Sequence, residues 1–258
     1  MPEPNRYQYT IDLNDWVDVD PHGIVQFRAP SREDAGELAL LMLDAYRNTI
    51  DYDGETIVEA REEIEGFFTN DPDLVNSRVA MISNHIVSAC LVTAWKGHPF
   101  VSYVMTGVEY KGKGIGTATL RASLRSFEQA GHISVGAFIT EANLPSEAMF
   151  YRVGAVQQPT HVLHIAEKKD WEACSDTYTP ASFAEDGFIH CSTPAQLDGV
   201  ASAFYAGRDD LTLLTIAAVR VGSMLVYEDL YEANALFPHI YQPLPLDAVV
   251  EAVRYSVP

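Results

Sequence analysis

The segment Lys111-Gly-Lys-Gly-Ile-Gly-Thr117 constrains this chain more than any other. Glycines this dense weaken a helix or strand interior, so the segment is a turn. A helical pattern follows it to about Ala130. Before it come three short apolar runs, Val79–Ile82, Ile86–Trp95 and Phe100–Val108. Ser83-Asn84 and Lys96-Gly97-His98-Pro99 separate them, which predicts an antiparallel meander. A strand, a glycine turn and then a helix is a way to hold an anion. The first amides of the helix lack partners and the helix dipole favours negative charge there.

Gly114 and Gly116 remove side chains that would keep a ligand off the backbone. Lys111, Lys113, Arg121 and Arg125 follow one another with no acidic residue between. That basicity stands out in a chain of formal charge −19. It suits coenzyme A, which carries a pyrophosphate and a ribose phosphate. A nucleoside-triphosphate P-loop would need a Lys-Ser/Thr pair after the last glycine, and a dinucleotide loop would need βαβ order. Neither pattern is present.

The rest of the chain bounds the answer. Its 258 residues, 47% of them apolar, make one large or two small globular domains. The acidic balance argues against nucleic acid and against an anionic membrane as partners. No stretch reaches the ~20 apolar residues of a membrane helix, and the first residues do not read as a secretory signal. Cys90, Cys174 and Cys191 are widely spaced, which predicts neither a disulfide framework nor a metal site and fits a reducing cytoplasm. Residues 1–23, with Pro2, Pro4 and Pro21, read as an irregular lead-in. Ile24–Arg28 reads as a strand, and helices are expected from a Ser31 cap to Arg47 and from Glu55 to Phe68. Gln157-Gln158-Pro159 is the linker expected between a domain over 24–158 and another over 160–258.

The segment VEYKGKGIGTATL resembles the pyrophosphate loop of the GNAT acyltransferase family, Q/R-x-x-G-x-G/A, running from Lys111 to Gly116. The resemblance extends over about residues 24–158. It implies an α/β (α+β) fold: a mixed, V-splayed sheet flanked by helices, followed here by a second small α+β domain. It also implies acetyl-CoA or another acyl-CoA as co-substrate, no metal, and transfer of the acyl group to a small-molecule amine. Val108, Lys111, Gly112, Lys113, Gly114, Ile115, Gly116 and Thr117 would hold the donor, with the pantetheine arm against the strand ending at Val108. Lys111 stands where the family has Arg or Gln.

A later family segment, N-x-x-A-x-x-L-Y-x-x-x-G-F, is similar to ANLPSEAMFYRVGA in register from Asn143. Asn143 and Gly154 keep their places. Phe150 falls where the family has the tyrosine that acts as general acid toward the departing thiolate. Tyr151 is the neighbouring substitute, but one helical residue turns a side chain by about 100°. Two readings follow from Phe150: transfer with another acid or none, or an acyl-CoA-binding module that does not transfer. In this fold the acidic segment Asp51–Glu65 would border the acceptor, with Asp53 and Glu55 as the residues to test for attracting an amine.

The second half resembles the uncharacterised family domain of unknown function 952, through HVLHIAEKKDWEA, SFAEDGFIHCSTPAQL and FPHIYQPLPLDAVV. That family is thought to share the ADP-ribosyltransferase fold, which would allow NAD or nucleotide binding. His164, His190, Ser192 and His239 could line one such cleft. Taken singly, each histidine equally fits a hydrogen-bonded structural residue.

Overall fold

The run Ile86–Val92, apolar except for Ser88, dictates the centre of the first unit. A strand of this composition is stable only when covered on both faces. The computed structural model describes residues 6–18, 25–95 and 98–257. The chain divides between Gln157 and Gln158 into two units, each packed chiefly on itself.

The first unit runs β1 (Arg6–Asp12), β2 (Gln26–Arg28), α1 (Ala35–Tyr46), α2 (Ile57–Thr69), β3 (Arg78–Ile82), β4 (His85–Trp95), β5 (His98–Thr106), α3 (Ile115–Gln129), β6 (Ser134–Thr140), α4 (Leu144–Tyr151) and β7 (Val156–Gln157). The strand order is β2-β3-β4-β5-β6-β1-β7. Ala89 and Leu91 of β4 face α1 and α2, where Leu38, Met42, Ile64 and Phe67 complete one core. Cys90 and Val92 face the other way, against Leu120, Leu124 and Phe127 of α3. The sheet is mixed. Its one parallel pair among the described residues, β5 with β6, is bonded only at Phe100↔Gly136 and Val101↔Ala137. Beyond these positions the two strands part, which is the V-shaped opening the resemblance implied.

Several expectations need correction. Residues 1–23 are not wholly irregular, since Arg6–Asp12 forms β1 and pairs with both β6 and β7. Tyr9 and Ile11 enter the α3-side core while Gln8 and Thr10 are buried on the other face. This alternation of aromatic and polar residues hid the strand in a proline-flanked segment. Residues 1–5 and 19–24, Ile24 of the expected strand among them, lie outside the described residues, and the strand itself runs Gln26–Arg28. Lys96 and Gly97 of the expected turn also lie outside them, and His98–Pro99 already belongs to β5. Val108 does not end that strand. It opens a 3-10 turn, because its amide turns to the Asp44 carboxylate at 2.8 Å. α1 begins after a 3-10 turn that Ser31 and Asp34 cap together, and α2 begins at Ile57 because Thr56 and Glu59 form a capping box.

The second unit contains β8 (His161–Glu167), α5 (Lys168–Ala173), β9 (Thr177–Tyr178), α6 (Phe183–Asp186), β10 (Ile189–His190), α7 (Leu197–Phe204), β11 (Leu211–Ala217), α8 (Ala218–Val221), β12 (Leu225–Glu228), β13 (Phe237–Ile240), β14 (Leu244–Pro245) and β15 (Val249–Tyr255). Small antiparallel sheets, β15-β11-β8, β10-β13-β12 and β14-β9, enclose a core of Val162, Leu214, Ile216, Tyr227 and Ile240. His239 sits on β13 opposite His190. No described helix is long and apolar enough to cross a membrane.

Candidate active site

The glycine turn is built as its composition requires. Gly112 and Gly114 take φ of 74° and 78°, in the left-handed region that costs glycine nothing. Gly114 caps α3, whose first internal bond runs from the Ala118 amide to the Gly114 carbonyl at 3.0 Å. The amides of Gly114, Ile115, Gly116 and Thr117 are therefore the N-terminal donors of that helix. Gly116 is needed for a different reason. A Cβ there would lie 2.6 Å from Thr106 Oγ1, which is itself 3.0 Å from Ser88 Oγ.

Three of the four local cations are engaged within the protein. Lys111 Nζ donates to the Ala45 carbonyl at the end of α1. Arg121 donates to the carbonyls of Val17 and Arg152, both at 3.2 Å. Arg125 holds Asp18 at 2.8 and 2.6 Å. Lys113 lies over the Tyr110 ring at 5.5 Å. Three of the four thus tie the chain together, and the turn offers an anion its backbone.

A cavity of about 370 Å³ opens where β5 and β6 part. Val101–Val104 and Ala137–Thr140 line it from the two strands, and Met42, Tyr46, Asp51, Tyr52, Glu55, Glu59 and Glu63 line it from α1, α2 and the segment between them. Of the two carboxylates singled out in the sequence, Glu55 lines the cavity. Asp53 is not among the lining residues; its amide donates to Glu55 Oε2 at 3.0 Å, which holds that carboxylate toward the cavity. Asp51, Glu59 and Glu63 complete the acidic wall, and Arg6 is the cation of the lining. Glu63 accepts a hydrogen bond from the Tyr103 hydroxyl. Burial first, and that carboxylate second, push the Tyr103 pKa up, so its hydroxyl stays protonated. The sequence placed Glu63 in the acidic segment without singling it out, because a carboxylate on an acidic helix carries no sign of which face it takes.

Asn143 caps α4, accepting from the Ser146 amide at 3.2 Å and donating to Asp51 Oδ2 at 2.6 Å. Phe150 is buried and lines the cavity. Tyr151 does not reach it. Its ring packs edge-on against Tyr9 at 5.6 Å and its hydroxyl lies 3.5 Å from Gln157 Oε1, half-exposed. The helical rotation of one residue decides this, and Tyr151 is withdrawn as the acid.

In the second unit the four candidates do not line one cleft, since His164, Ser192 and His239 are all buried. His164 bonds the His190 carbonyl through Nδ1 at 2.6 Å and the Tyr178 hydroxyl through Nε2 at 3.0 Å. Burial pushes its pKa down to about 4. Ser192 exchanges backbone bonds with Leu163, both at 2.8 Å. His239 Nδ1 meets the buried Glu228 at 3.1 Å, and Tyr241 donates to the same oxygen. His190 faces Asp186 at 3.3 Å and stands 5.4 Å, ring to ring, from His239. Burial, then the nearby His239, lowers its pKa.

A mixed sheet opened at a short parallel seam, followed by a glycine-capped helix, is the arrangement that the resemblance to the GNAT family implied. Residues 40–155 match the acetyltransferase (GNAT) family, and residues 165–252 match a family described as protein of unknown function (DUF952). The chain accordingly joins a GNAT-family domain to a DUF952 domain. Among solved structures, protein CC0527 of Caulobacter crescentus is 30% identical, over 37% of this chain and 85% of its own, with a TM-score of 0.35. A GCN5-related N-acetyltransferase of Sphaerobacter thermophilus is 16% identical, over 59% of this chain and 48% of its own, with a TM-score of 0.49. A GNAT-family acetyltransferase of Brucella melitensis, in complex with acetyl-CoA, is 19% identical over 43% and 72%, with a TM-score of 0.36. No curated protein matches the chain.

Proposed function

We propose that the first unit transfers an acyl group from acyl-CoA, with acetyl-CoA as the donor to test first, to a cationic amine. The observation that carries this reading is the acidic cavity at the open edge of β5, the same strand from which the glycine turn departs. The free donors of α3 fit the pyrophosphate, and the parted strand edge offers amides and carbonyls to the amide-containing arm. The carboxylates Asp51, Glu55, Glu59 and Glu63 then meet the acceptor's charge.

The closing measurements are acetyl-CoA binding by calorimetry and thiol release with a panel of amines. Phe150 supports a second reading, a donor-binding module without transfer. Binding without thiol release from any amine would select it, and no binding of any acyl-CoA would sink both.

Four variants follow from the geometry. Glu55→Gln and Glu63→Gln are each expected to raise the acceptor KM roughly fivefold, from about 1 kcal/mol of attraction per charge. Asp53→Asn should leave it in place, and steady-state kinetics on the three distinguishes a charged wall from a solvated helix face. Gly116→Ala forces its Cβ against Thr106. Donor Kd is expected to rise about tenfold, with a stability loss of about 1–3 kcal/mol. Unchanged binding in that variant would show that the helix start does not contact the donor.

A further inference from the structure

The cavity holds charges of both signs that do not meet. Asp51, Glu55, Glu59 and Glu63 line it from α2 and from the segment between α1 and α2, and Arg6 lines it from β1, opposite Thr140 on β6. Arg6 has no ion pair or hydrogen bond among the described residues. Its charge nevertheless reaches into the space. Burial, and then Asp51 for Tyr46 and Glu63 for Tyr103, raise the pKa of these two lining hydroxyls, while Arg6 draws both down. The cation and the carboxylates therefore act across one opening. Each carboxylate is held on its own side of it: Asp51 by Asn143 at 2.6 Å, Glu55 by the Asp53 amide at 3.0 Å, Glu59 by the Thr56 amide at 2.7 Å, and Glu63 by the Tyr103 hydroxyl. A simple amine entering here is attracted by the wall and repelled by Arg6, and a like charge in a site works against the ligand that meets it. A ligand with one charge of each sign satisfies both.

We propose that the acceptor is an amino acid, with Arg6 holding its carboxylate and the acidic wall holding its ammonium. This rests on the proposed acyl transfer and names the class of molecule that receives the group. A planar guanidinium takes a carboxylate through two parallel N–H bonds, which fixes orientation as well as position. The root of the Arg6 side chain is itself fixed, because β1 pairs with β6 along its whole length, from Arg6↔Thr140 to Asp12↔Ser134. The wall belongs to the other side of the parting, where Tyr103 of β5 binds Glu63. An acceptor gripped at both ends lies across the opening between β5 and β6, with its amine on the β5 side.

The test uses the full chain, acetyl-CoA, and the common L-amino acids and 4-aminobutyrate, each compared with its methyl ester. The ester keeps the amine and removes the anion. For the preferred acid, kcat/KM should exceed that of its ester about tenfold, with the difference in KM. In Arg6→Gln the acid should lose about tenfold, and the ester should gain up to about threefold because a repelling charge has gone. Arg6→Lys, which keeps the charge without the fork, should keep roughly a third of the preference. Calorimetric titration of the coenzyme A-loaded chain with the same pairs reads the contact without the chemistry, and the same roughly tenfold difference in Kd is expected. Acids that are neither used nor bound, esters used or bound as well as the acids, or an equal loss for acid and ester in Arg6→Gln overturn the assignment. Acids that bind through Arg6 but release no thiol overturn the acyl-transfer reading and leave the recognition standing.

Discussion

Glu228→Ala will lower the melting temperature of the second unit by roughly 10 °C or more. The carboxylate is 4% exposed, and one of its oxygens serves both the His239 ring at 3.1 Å and the Tyr241 hydroxyl. Alanine leaves both donors in a buried layer with Phe188, whose ring centroid is 4.5 Å from that of His239. Breaking a buried polar pair by removing one partner costs about 3–5 kcal/mol. For a domain of this size each kcal/mol moves the midpoint by about 4–8 °C. Glu228→Gln keeps an acceptor oxygen in place and should lose about half as much. Calorimetry of the intact chain reads both, and a shift under about 3 °C for the alanine variant would mean that the cluster is not sealed from water.

The second unit will also be acid-labile through His164. Burial holds this imidazole at about 4, opposed by its bond to the His190 carbonyl, whereas an unfolded histidine titrates near 6.5. As the pH falls from about 6.5 to about 4, the unfolded chain takes up a proton that the folded chain refuses. Stability is therefore full above 6.5 and falls across that window. The difference of about 2.5 pH units corresponds to a loss of about 3 kcal/mol at its lower end. His190, also lowered by burial, acts with the same sign. Carboxylates elsewhere add their own slopes, so the quantity to measure is the gap between the original chain and His164→Gln across the window. Parallel stability curves for the two would remove His164 as the cause.

The sequence disclosed the glycine turn of the first unit well, because glycine dihedrals and helix starts are local. Gly112, Gly114 and Gly116 do what their chemistry demands within a few residues of themselves. It disclosed the basic residues less well. Lys111, Arg121 and Arg125 look like a phosphate patch in one dimension, and their partners, Ala45, Val17, Arg152 and Asp18, are distant in the chain. The same limit hid β1, whose place in the sheet is set by β6 more than a hundred residues away. Acidic residues gave the region of the cavity's acidic wall without its membership, since which side of α2 faces the opening depends on α1 and β5. In the second unit the histidines were noticed for their chemistry, yet His164 and His239 turned out to be satisfied by neighbours that strand pairing alone brings near.

The two-residue parallel contact between β5 and β6 has a mechanical consequence. The first unit is two antiparallel ribbons, β2-β3-β4-β5 and β6-β1-β7, laid edge to edge and joined along a very short seam. One core beneath α3 draws on both ribbons, with Cys90, Val92 and Val101 from one and Tyr9, Ile11 and Val135 from the other, and α3 also touches β3, β4, β5 and α4. A molecule lodged along the seam therefore acts as a stitch. It ties together halves that backbone bonding leaves almost separate, and its arrival changes how far the domain moves as one body.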